Sequence, residues 1–351
     1  MERRIAYIDA MRGFTMFLVV YNHVLVYSFD GGSSWSINDI FLTFRMPLFF
    51  FLSGFLMYKK NRFKSAGGLG QFLRKKGMVQ LFPTLVFSIT YSLIRPIPYH
   101  LLLMDKAKCG YWFTYTLFFY FLIYAVGDFF IGRKVKGKAK VLVGGLFTLL
   151  IYGMAKFSLS SSCPWSSNPI CGIIGFANFQ YFIFFYWGSL VRAYFDYIEQ
   201  ILKKDSVITG IIVGFLLIQL ILHLPLTRAW MIKVASYSAY SLLRSFSGFF
   251  GIAAIFVLFR RNEAALRKNR VGEFLQFIGT RTLDIYLIHT ILVLSNMRFF
   301  GTFFVTHDSY VVEMILGGAV ALVIIGLCLL ISEVIRCSDT LAQLLLGKVI
   351  K

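Results

Sequence analysis

The amino-acid sequence predicts an all-α, polytopic integral membrane bundle, and three observations support that prediction. Of the 351 residues, 58% are hydrophobic and only 15% are charged, which is unlike the composition of soluble domains. The apolar residues gather into segments that reach or approach the roughly 20 residues needed to cross the ~30 Å hydrocarbon core. Basic residues concentrate in alternate connecting loops. We therefore expect one transmembrane domain over residues 1–351, with no appended soluble domain.

About ten segments are expected to span the membrane. The first runs from about residue 5 to residue 29, and it is too long for a signal peptide and lacks a small-residue cleavage site. The other nine cover residues 38–58, 78–97, 112–131, 140–158, 174–191, 206–225, 236–259, 274–297 and 310–335. The segment 174–191 is the weakest, because Asn178 and Gln180 interrupt it.

The basic loops predict the topology. Loops 59–76, 133–140 and 260–270 are rich in Lys and Arg and follow even-numbered segments. By the positive-inside rule, both termini then lie in the cytoplasm. The net charge of +20 is explained by topology and contact with anionic membrane lipid, and no nucleic-acid partner is expected. An alternative is that some of these bases attract an anionic cytosolic cofactor such as coenzyme A.

The first predicted span carries Asp9, Arg12 and His23 within an apolar stretch. A charge near the bilayer centre costs roughly 2.5–3.5 kcal/mol, so such groups usually face inward and are functional. At ~100° per residue, Arg12 and His23 point within about 20° of one direction, and Asp9 joins that stripe. Arg12 and His23 lie roughly 16 Å apart along the axis. The alternatives are that Arg12 snorkels to the inner interface and that His23 bonds between helices.

The second span adds Arg45. It lies about seven residues, or ~10 Å, from the outer start of that span, and His23 lies about six residues, or ~9 Å, from the outer end of the first. The two side chains are therefore expected at a common depth on neighbouring helices.

The ninth and fourth spans carry further candidates. Arg281 and Asp284 are three residues apart and can pair on one helix face. His289 is directed ~140° away from Asp284 on an ideal helix, so it is either a ligand contact or a group that bonds between helices. Trp112, at the outer mouth of the fourth span, is either an interfacial belt residue or a platform for stacking a sugar. Separately, Cys163 and Cys171 could form a disulfide if their side of the membrane is oxidising.

These residues could support the attack of a hydroxyl on a thioester. A neutral histidine is a suitable general base for a hydroxyl nucleophile, and a nearby arginine can stabilise an oxyanion or hold an anionic donor. The sequence has no HxxxH, CxxC or carboxylate-cluster pattern, so no metal site is expected. It also lacks a Walker A, GxGxxG or GxSxG motif.

Several segments resemble motifs of the membrane acyltransferase-3 family. The first span, with Arg12, ten intervening residues and His23, resembles the family's opening motif. Four other matches keep the family's order: residues 44–55, Tyr111-Trp112-Phe113, Tyr186-Trp187-Gly188 and residues 279–289. Together the matches extend over nearly the whole chain.

The resemblance implies an acyltransferase of the bacterial cytoplasmic membrane. Such an enzyme moves an acyl group, commonly acetyl, from cytosolic acyl-CoA to a hydroxyl of a cell-surface or lipid-linked glycan. No tightly bound cofactor is implied, and acetyl-CoA or succinyl-CoA is the donor substrate. The expected roles are catalytic for His23, Arg12 and Arg45; structural or orienting for Asp9, Arg281 and Asp284; and acceptor or donor contacts for Trp112, His289, Asn22 and Ser53. His23 could act as the general base, which is the preferred role, or could briefly carry the acyl group.

Two other functions fit the same polar core. One is a transporter or flippase for a glycan intermediate, and the other is a structural component of a polysaccharide-export assembly. The scarcity of acidic residues inside the spans and the absence of visible symmetric halves argue against a secondary transporter. The sequence does not indicate an oligomeric state.

Overall fold

The computed structural model describes residues 5–29, 37–60, 62–95, 98, 104–105, 107–132, 134–159, 168–224, 236–293, 297–307 and 309–348. Every regular element in these ranges is a helix, which confirms the all-α prediction. Cys163, and with it the predicted pairing to Cys171, lies outside the described residues.

The first nine α-helices are α1 (Ala6–His23), α2 (Asn38–Met57), α3 (Ala66–Lys76), α4 (Phe82–Ile94), α5 (Trp112–Phe130), α6 (Gly137–Phe157), α7 (Pro169–Ile174), α8 (Phe182–Ala193) and α9 (Phe195–Leu202). They are followed by α10 (Asp205–His223), α11 (Ser236–Arg261), α12 (Glu263–Leu266), α13 (Arg270–Thr280), α14 (Thr282–Leu292), α15 (Arg298–Thr306), α16 (Tyr310–Arg336) and α17 (Asp339–Leu346). Two π-helical segments, Val24–Ser28 and Gly77–Leu81, follow α1 and α3, and 3₁₀ turns at Lys108–Gly110 and Phe176–Tyr181 precede α5 and α8.

Within the described ranges, seven helices are long and apolar enough to cross a membrane. They are Asn38–Met57, Ala66–Ile94, Trp112–Phe130, Gly137–Phe157, Asp205–His223, Tyr240–Arg261 and Tyr310–Arg336. Ala66–Ile94 is one continuous run of α3, the π-helical segment that follows it, and α4. These seven correspond to seven of the ten predicted spans, and the protein is a multi-pass membrane protein.

The other three predicted spans differ from the expected uninterrupted apolar helix, each for a local reason. The first, α1, is 18 residues long and carries the charged stripe. The sixth is divided into a 3₁₀ turn and the 12-residue helix α8. The ninth is divided into α13 and the short apolar helix α14.

Residue packing divides the chain into two compact units. The first consists of Met1–Leu52, Tyr194–Thr282 and Leu292–Gly326. In this unit α1 packs along α13 and also contacts α11 and α12, while α10 packs against α11. The helix α1 is therefore surrounded by protein on several faces, and its apolar side chains are among the most buried in the unit.

The second unit consists of Ser53–Ala193, Leu283–Ile291 and Leu327–Lys351. Here α6 packs against α8, α3 against α5, and α17 against α4. A tight turn precedes α5, because Lys108 and Cys109 both have positive φ angles, of 44° and 54°. The side chain of Lys108 crosses to donate a hydrogen bond to the Gly172 carbonyl at 3.0 Å. Burial lowers the pKa of Lys108 to about 8, and the nearby Asp105 carboxylate opposes part of that shift.

Candidate functional site

Arg12 is held at two points near the start of α1. Its Nη2 atom donates a hydrogen bond to the Thr282 hydroxyl oxygen at 2.7 Å. Its Nη1 atom lies 3.5 Å from the carboxylate of Asp9, one turn earlier on the same helix. The Arg12 side chain keeps 29% of its surface exposed, and that of Asp9 keeps 14%. These two described contacts orient the guanidinium, and part of the side chain stays accessible to a ligand.

Two glycines bring the backbones of α1 and α13 into direct contact beside Arg12. A Cβ atom at Gly279 would lie 1.8 Å from the Asp9 carbonyl oxygen, and one at Gly13 would lie 1.9 Å from the Leu275 carbonyl oxygen. Only residues without a Cβ allow helices to approach so closely. This approach places the residues that follow Gly279 within hydrogen-bonding reach of the Arg12 guanidinium.

A break between two helices presents Thr282 to Arg12. The helix α13 ends at Thr280, and Arg281 leaves the helical conformation with φ −112° and ψ 15°. The helix α14 then begins at Thr282. The expected continuous span over residues 274–297 is therefore wrong at this point. Threonine on both sides of Arg281 favours the break, because β-branched side chains lower helix propensity.

The other end of α1 presents His23. It is the last residue of the α-helix, it is half-buried, and the π-helical segment Val24–Ser28 follows it directly. π-Helical turns are frequent at functional sites. The ring of Tyr27, 53% exposed, lies against the imidazole with centroids 5.4 Å apart. Beside His23, Asn38 donates a hydrogen bond from its side-chain amide to that of Asn22 at 3.0 Å.

Two contacts fix the register between α1 and α2, which run in opposite directions. At one end, the side chain of Asn22 on α1 binds that of Asn38 on α2. At the other end, Tyr7 of α1 and Phe51 of α2 both pack edge-on against the ring of Phe256, with centroids 5.8 and 5.7 Å away. Residues whose numbers add up to about 60 therefore lie at the same level on these two helices.

This register places Arg45 near Arg12 in depth. Arg45, which is 8% exposed, is level with about residue 14 of α1. At 1.5 Å per residue, it lies about 3 Å from the level of Arg12 and about 13 Å from that of His23. The expectation that His23 and Arg45 share a depth is therefore wrong. That expectation placed His23 six residues below an outer end at Phe29. In the structure the α-helix ends at His23, and the contact of α1 with α2 begins at Asn22.

Asp284 is tied to the last membrane helix. Its Oδ2 atom accepts hydrogen bonds from the Ser332 hydroxyl at 2.6 Å and from Arg336 Nη2 at 2.5 Å. Its side chain is only 4% exposed. Arg281, the partner suggested by the sequence, places its guanidinium over the ring of Phe277, 6.0 Å from the centroid. The described contacts of the Asp284 carboxylate therefore connect α14 to α16.

The remaining candidates lie in the second unit, whereas the charged stripe of α1 lies in the first. His289 is fully buried and its Nδ1–H donates to the Ile285 carbonyl at 3.0 Å, which satisfies that nitrogen within its own helix. The Trp112 ring lies 5.9 Å from that of Tyr181. Ser53 is half-buried. Across the described ranges, no group of three or more His, Cys, Asp or Glu residues could hold a metal ion.

The sequence analysis missed several residues that the structure adds to these clusters, among them Thr282, Arg336 and Tyr27. Thr282 lies inside the late family-like segment, but nothing in a linear sequence connects it to Arg12. Arg336 ends the last span and looks like an ordinary interfacial base. Tyr27 looks like any other interfacial aromatic, and only its spacing of four residues from His23 could have indicated a contact.

Comparison with known proteins gives a family for the chain. The sequence profile of the acyltransferase-3 family, described as an acyltransferase domain, matches residues 5–333. Neither the curated proteins nor the solved structures contain a match. The match includes the charged stripe of α1, Arg45, the helix break at Arg281, and Asp284 with Ser332, and it ends before Arg336. The chain therefore belongs to the acyltransferase-3 family of membrane acyltransferases.

Proposed function

We propose that this protein is an O-acyltransferase of the bacterial cytoplasmic membrane. It moves an acyl group, acetyl in preference to succinyl, from cytosolic acyl-CoA to a hydroxyl of a cell-surface or lipid-linked glycan. Membership of the acyltransferase-3 family supports the reaction class. One observation carries the proposal further. The helix α1 holds Arg12 at one end and ends in His23 at the other, on one face and about 16 Å apart.

The Arg12 end is the donor side of this proposal. By the register above, residues Arg12 and Arg45 lie at levels about 3 Å apart on their helices, and the positive-inside rule predicts that both termini and the basic loops lie on the cytoplasmic side. Arginine is well suited to binding phosphate and other anionic groups. An oxyanion donor must lie about 3 Å from the developing charge, and Arg45 lies too far in depth from His23 for that role. Both arginines therefore hold the donor.

The His23 end is the acceptor side. The imidazole takes the proton of the acceptor hydroxyl as the oxygen attacks the thioester carbonyl carbon. The carbon–sulfur bond then breaks, the ester forms, and the departing thiolate receives the proton from the imidazolium. Half-burial of His23 limits competition by water, and the exposed ring of Tyr27 offers an amphipathic surface against which a sugar ring can pack.

A thioester that travels along this face must pass the side chain of Met16. Met16 lies between Arg12 and His23 along the helix axis and within about 40° of both in rotation, and it is fully buried. Methionine is unbranched and changes rotamer readily. The proposal therefore includes movement of the Met16 thioether when the pantetheine arm enters.

The test replaces the histidine that ends α1 and compares it with a histidine that ends another helix. His23→Ala is expected to abolish base-labile acyl esters on the cell's glycans, measured by mass spectrometry, while the glycans and the protein level stay normal. His223→Ala is the matched control, because His223 ends α10 and its Nδ1 bonds to the Gln219 carbonyl of its own helix. That variant should keep the esters.

Other outcomes would reject the proposal. Esters that persist in the His23→Ala strain would remove the catalytic role. Loss of the glycan itself would favour transport. Purified wild-type protein given labelled acetyl-CoA and succinyl-CoA should release coenzyme A faster from the acetyl donor, and the opposite preference would correct the donor.

A further inference from the structure

Thr282 makes the shortest described hydrogen bond to Arg12. The hydroxyl oxygen accepts from Nη2 at 2.7 Å, and the hydroxyl itself faces the Gly279 carbonyl at 3.5 Å. Thr282 is only 6% exposed, so its hydroxyl is largely shielded from water, while the Arg12 side chain keeps 29% of its surface exposed. A hydrogen bond to a charged group in such a place is stronger than one between neutral groups.

The backbone around Thr282 is arranged to hold that hydroxyl in place. Gly279 touches the Asp9 backbone, and Asp9 itself pairs with Arg12. The break at Arg281 then directs the next side chain toward α1. In its described contacts, the guanidinium is held by the Asp9 carboxylate on its own helix and by the neutral Thr282 hydroxyl on the neighbouring chain segment.

The neutrality of the threonine matters for a group that must attract an anion. A carboxylate at the position of Thr282 would compensate the positive charge of Arg12, whereas the hydroxyl orients the guanidinium and leaves its charge unchanged. We infer that Thr282 is a positioning residue for Arg12, which its hydroxyl holds in the orientation that binds the anionic acyl-CoA donor. This inference rests on the proposed function, because it assigns Arg12 to the donor.

The kinetic consequence follows from where Arg12 lies. Arg12 is about 16 Å from His23 along α1, so it binds the donor equally in the ground state and in the transition state. Loss of such uniform binding raises KM and leaves kcat nearly unchanged. Loss of one hydrogen bond to a charged group corresponds to roughly a ten- to hundredfold weaker interaction.

The experiment compares three variants of the full-length protein in lipid nanodiscs. Thr282→Val removes the hydroxyl and keeps the shape, and it should raise the KM for acetyl-CoA and the Kd for coenzyme A by at least about tenfold, with kcat within about twofold. Thr282→Ser keeps the hydroxyl and should restore both constants. Thr280→Val is the control, because the Thr280 hydroxyl donates to the Phe277 carbonyl of its own helix.

The Arg12→Ala background separates positioning from simple structural support. There, Thr282→Val should have no further effect on the Kd for coenzyme A. An equal loss of affinity in both backgrounds, failure of serine to rescue, or wild-type constants in Thr282→Val would each overturn the inference. If the valine variant does not accumulate, Thr282→Ala is measured against the same outcomes. An inactive His23→Ala protein beside a normal Thr282→Val protein would overturn only this inference, whereas an active His23→Ala protein would overturn the proposed function.

Discussion

Replacing Gly279 by alanine should separate the two helices that hold Arg12. The added Cβ would lie 1.8 Å from the Asp9 carbonyl oxygen, and ordinary contact begins at 3.4 Å. The helices must therefore move apart by about 1.6 Å, the difference between these two distances. The Arg12–Thr282 hydrogen bond would then lengthen from 2.7 Å to about 4.3 Å, which is beyond hydrogen-bonding distance.

The expected cost appears in both activity and stability. Displacement of a binding group by 1 Å or more can cost about a hundredfold in rate, so kcat/KM for acetyl-CoA should fall by about that factor. The overpacked contact should also lower the free energy of unfolding by about 1–3 kcal/mol. Activity is measured as coenzyme A release by the purified protein, and stability by thermal unfolding in the same detergent.

Gly210→Ala is the matched control. Gly210 also lies inside a helix of the first unit, and a Cβ there would meet nothing within 4 Å. This variant should keep wild-type activity and unfold at the same or a slightly higher temperature, because alanine is the better helix former. Wild-type kcat/KM in Gly279→Ala would refute the reasoning, since the close helix contact would then not position Arg12.

Three more variants test separate parts of the structure. Asp284→Ala should lower the free energy of unfolding by about 3 kcal/mol, because it leaves the Arg336 charge without its carboxylate in a largely buried place; Asp339→Ala, in an exposed pair, should change it by less than about 1 kcal/mol. Tyr27→Ala should raise the acceptor KM about three- to tenfold, and Tyr27→Phe should not, because the ring supplies the contact. Burial lowers the pKa of Lys108 to about 8, so above that pH Lys108 binds more protons in the unfolded chain than in the folded protein. The free energy of unfolding therefore increases with pH through this group. The thermal midpoint of the wild type, relative to Lys108→Met, should therefore increase between pH 7 and pH 9.

Each of these variants has an outcome that contradicts its prediction. Equal midpoints for the Asp284 and Asp339 variants would mean that the buried cluster contributes no more than a surface pair. An unchanged acceptor KM in Tyr27→Ala would remove the sugar platform. A difference between wild type and Lys108→Met that is constant with pH would mean that the ammonium is not desolvated.

Most of the fold was predictable from local sequence patterns. Seven predicted spans correspond to seven helices, because length and apolarity are properties of a segment by itself. The common face of Asp9, Arg12 and His23 on α1 was also predictable, because each residue of an α-helix is rotated from the one before it by a constant angle. The ion pair of Asp9 with Arg12 follows from the same geometry.

The partners of these residues were not predictable, because they come from distant parts of the chain. Thr282 reaches Arg12 only through a break in a segment that hydropathy presents as continuous. Arg336 reaches Asp284 from another helix. The depth of Arg45 depends on which residues of α1 and α2 meet, and the length of an apolar run does not fix that register.

The central claim is that the thioester enters from the Arg12 end of α1 and reacts at His23. The most direct measurement is a cryo-EM structure of the protein with a non-hydrolysable thioether analogue of acetyl-CoA. The account predicts the nucleotide beside Arg12 and Arg45, a displaced Met16 side chain, and the acyl carbon within about 4 Å of the His23 imidazole. A nucleotide bound at the His23 end, or an acyl carbon far from that imidazole, would contradict it.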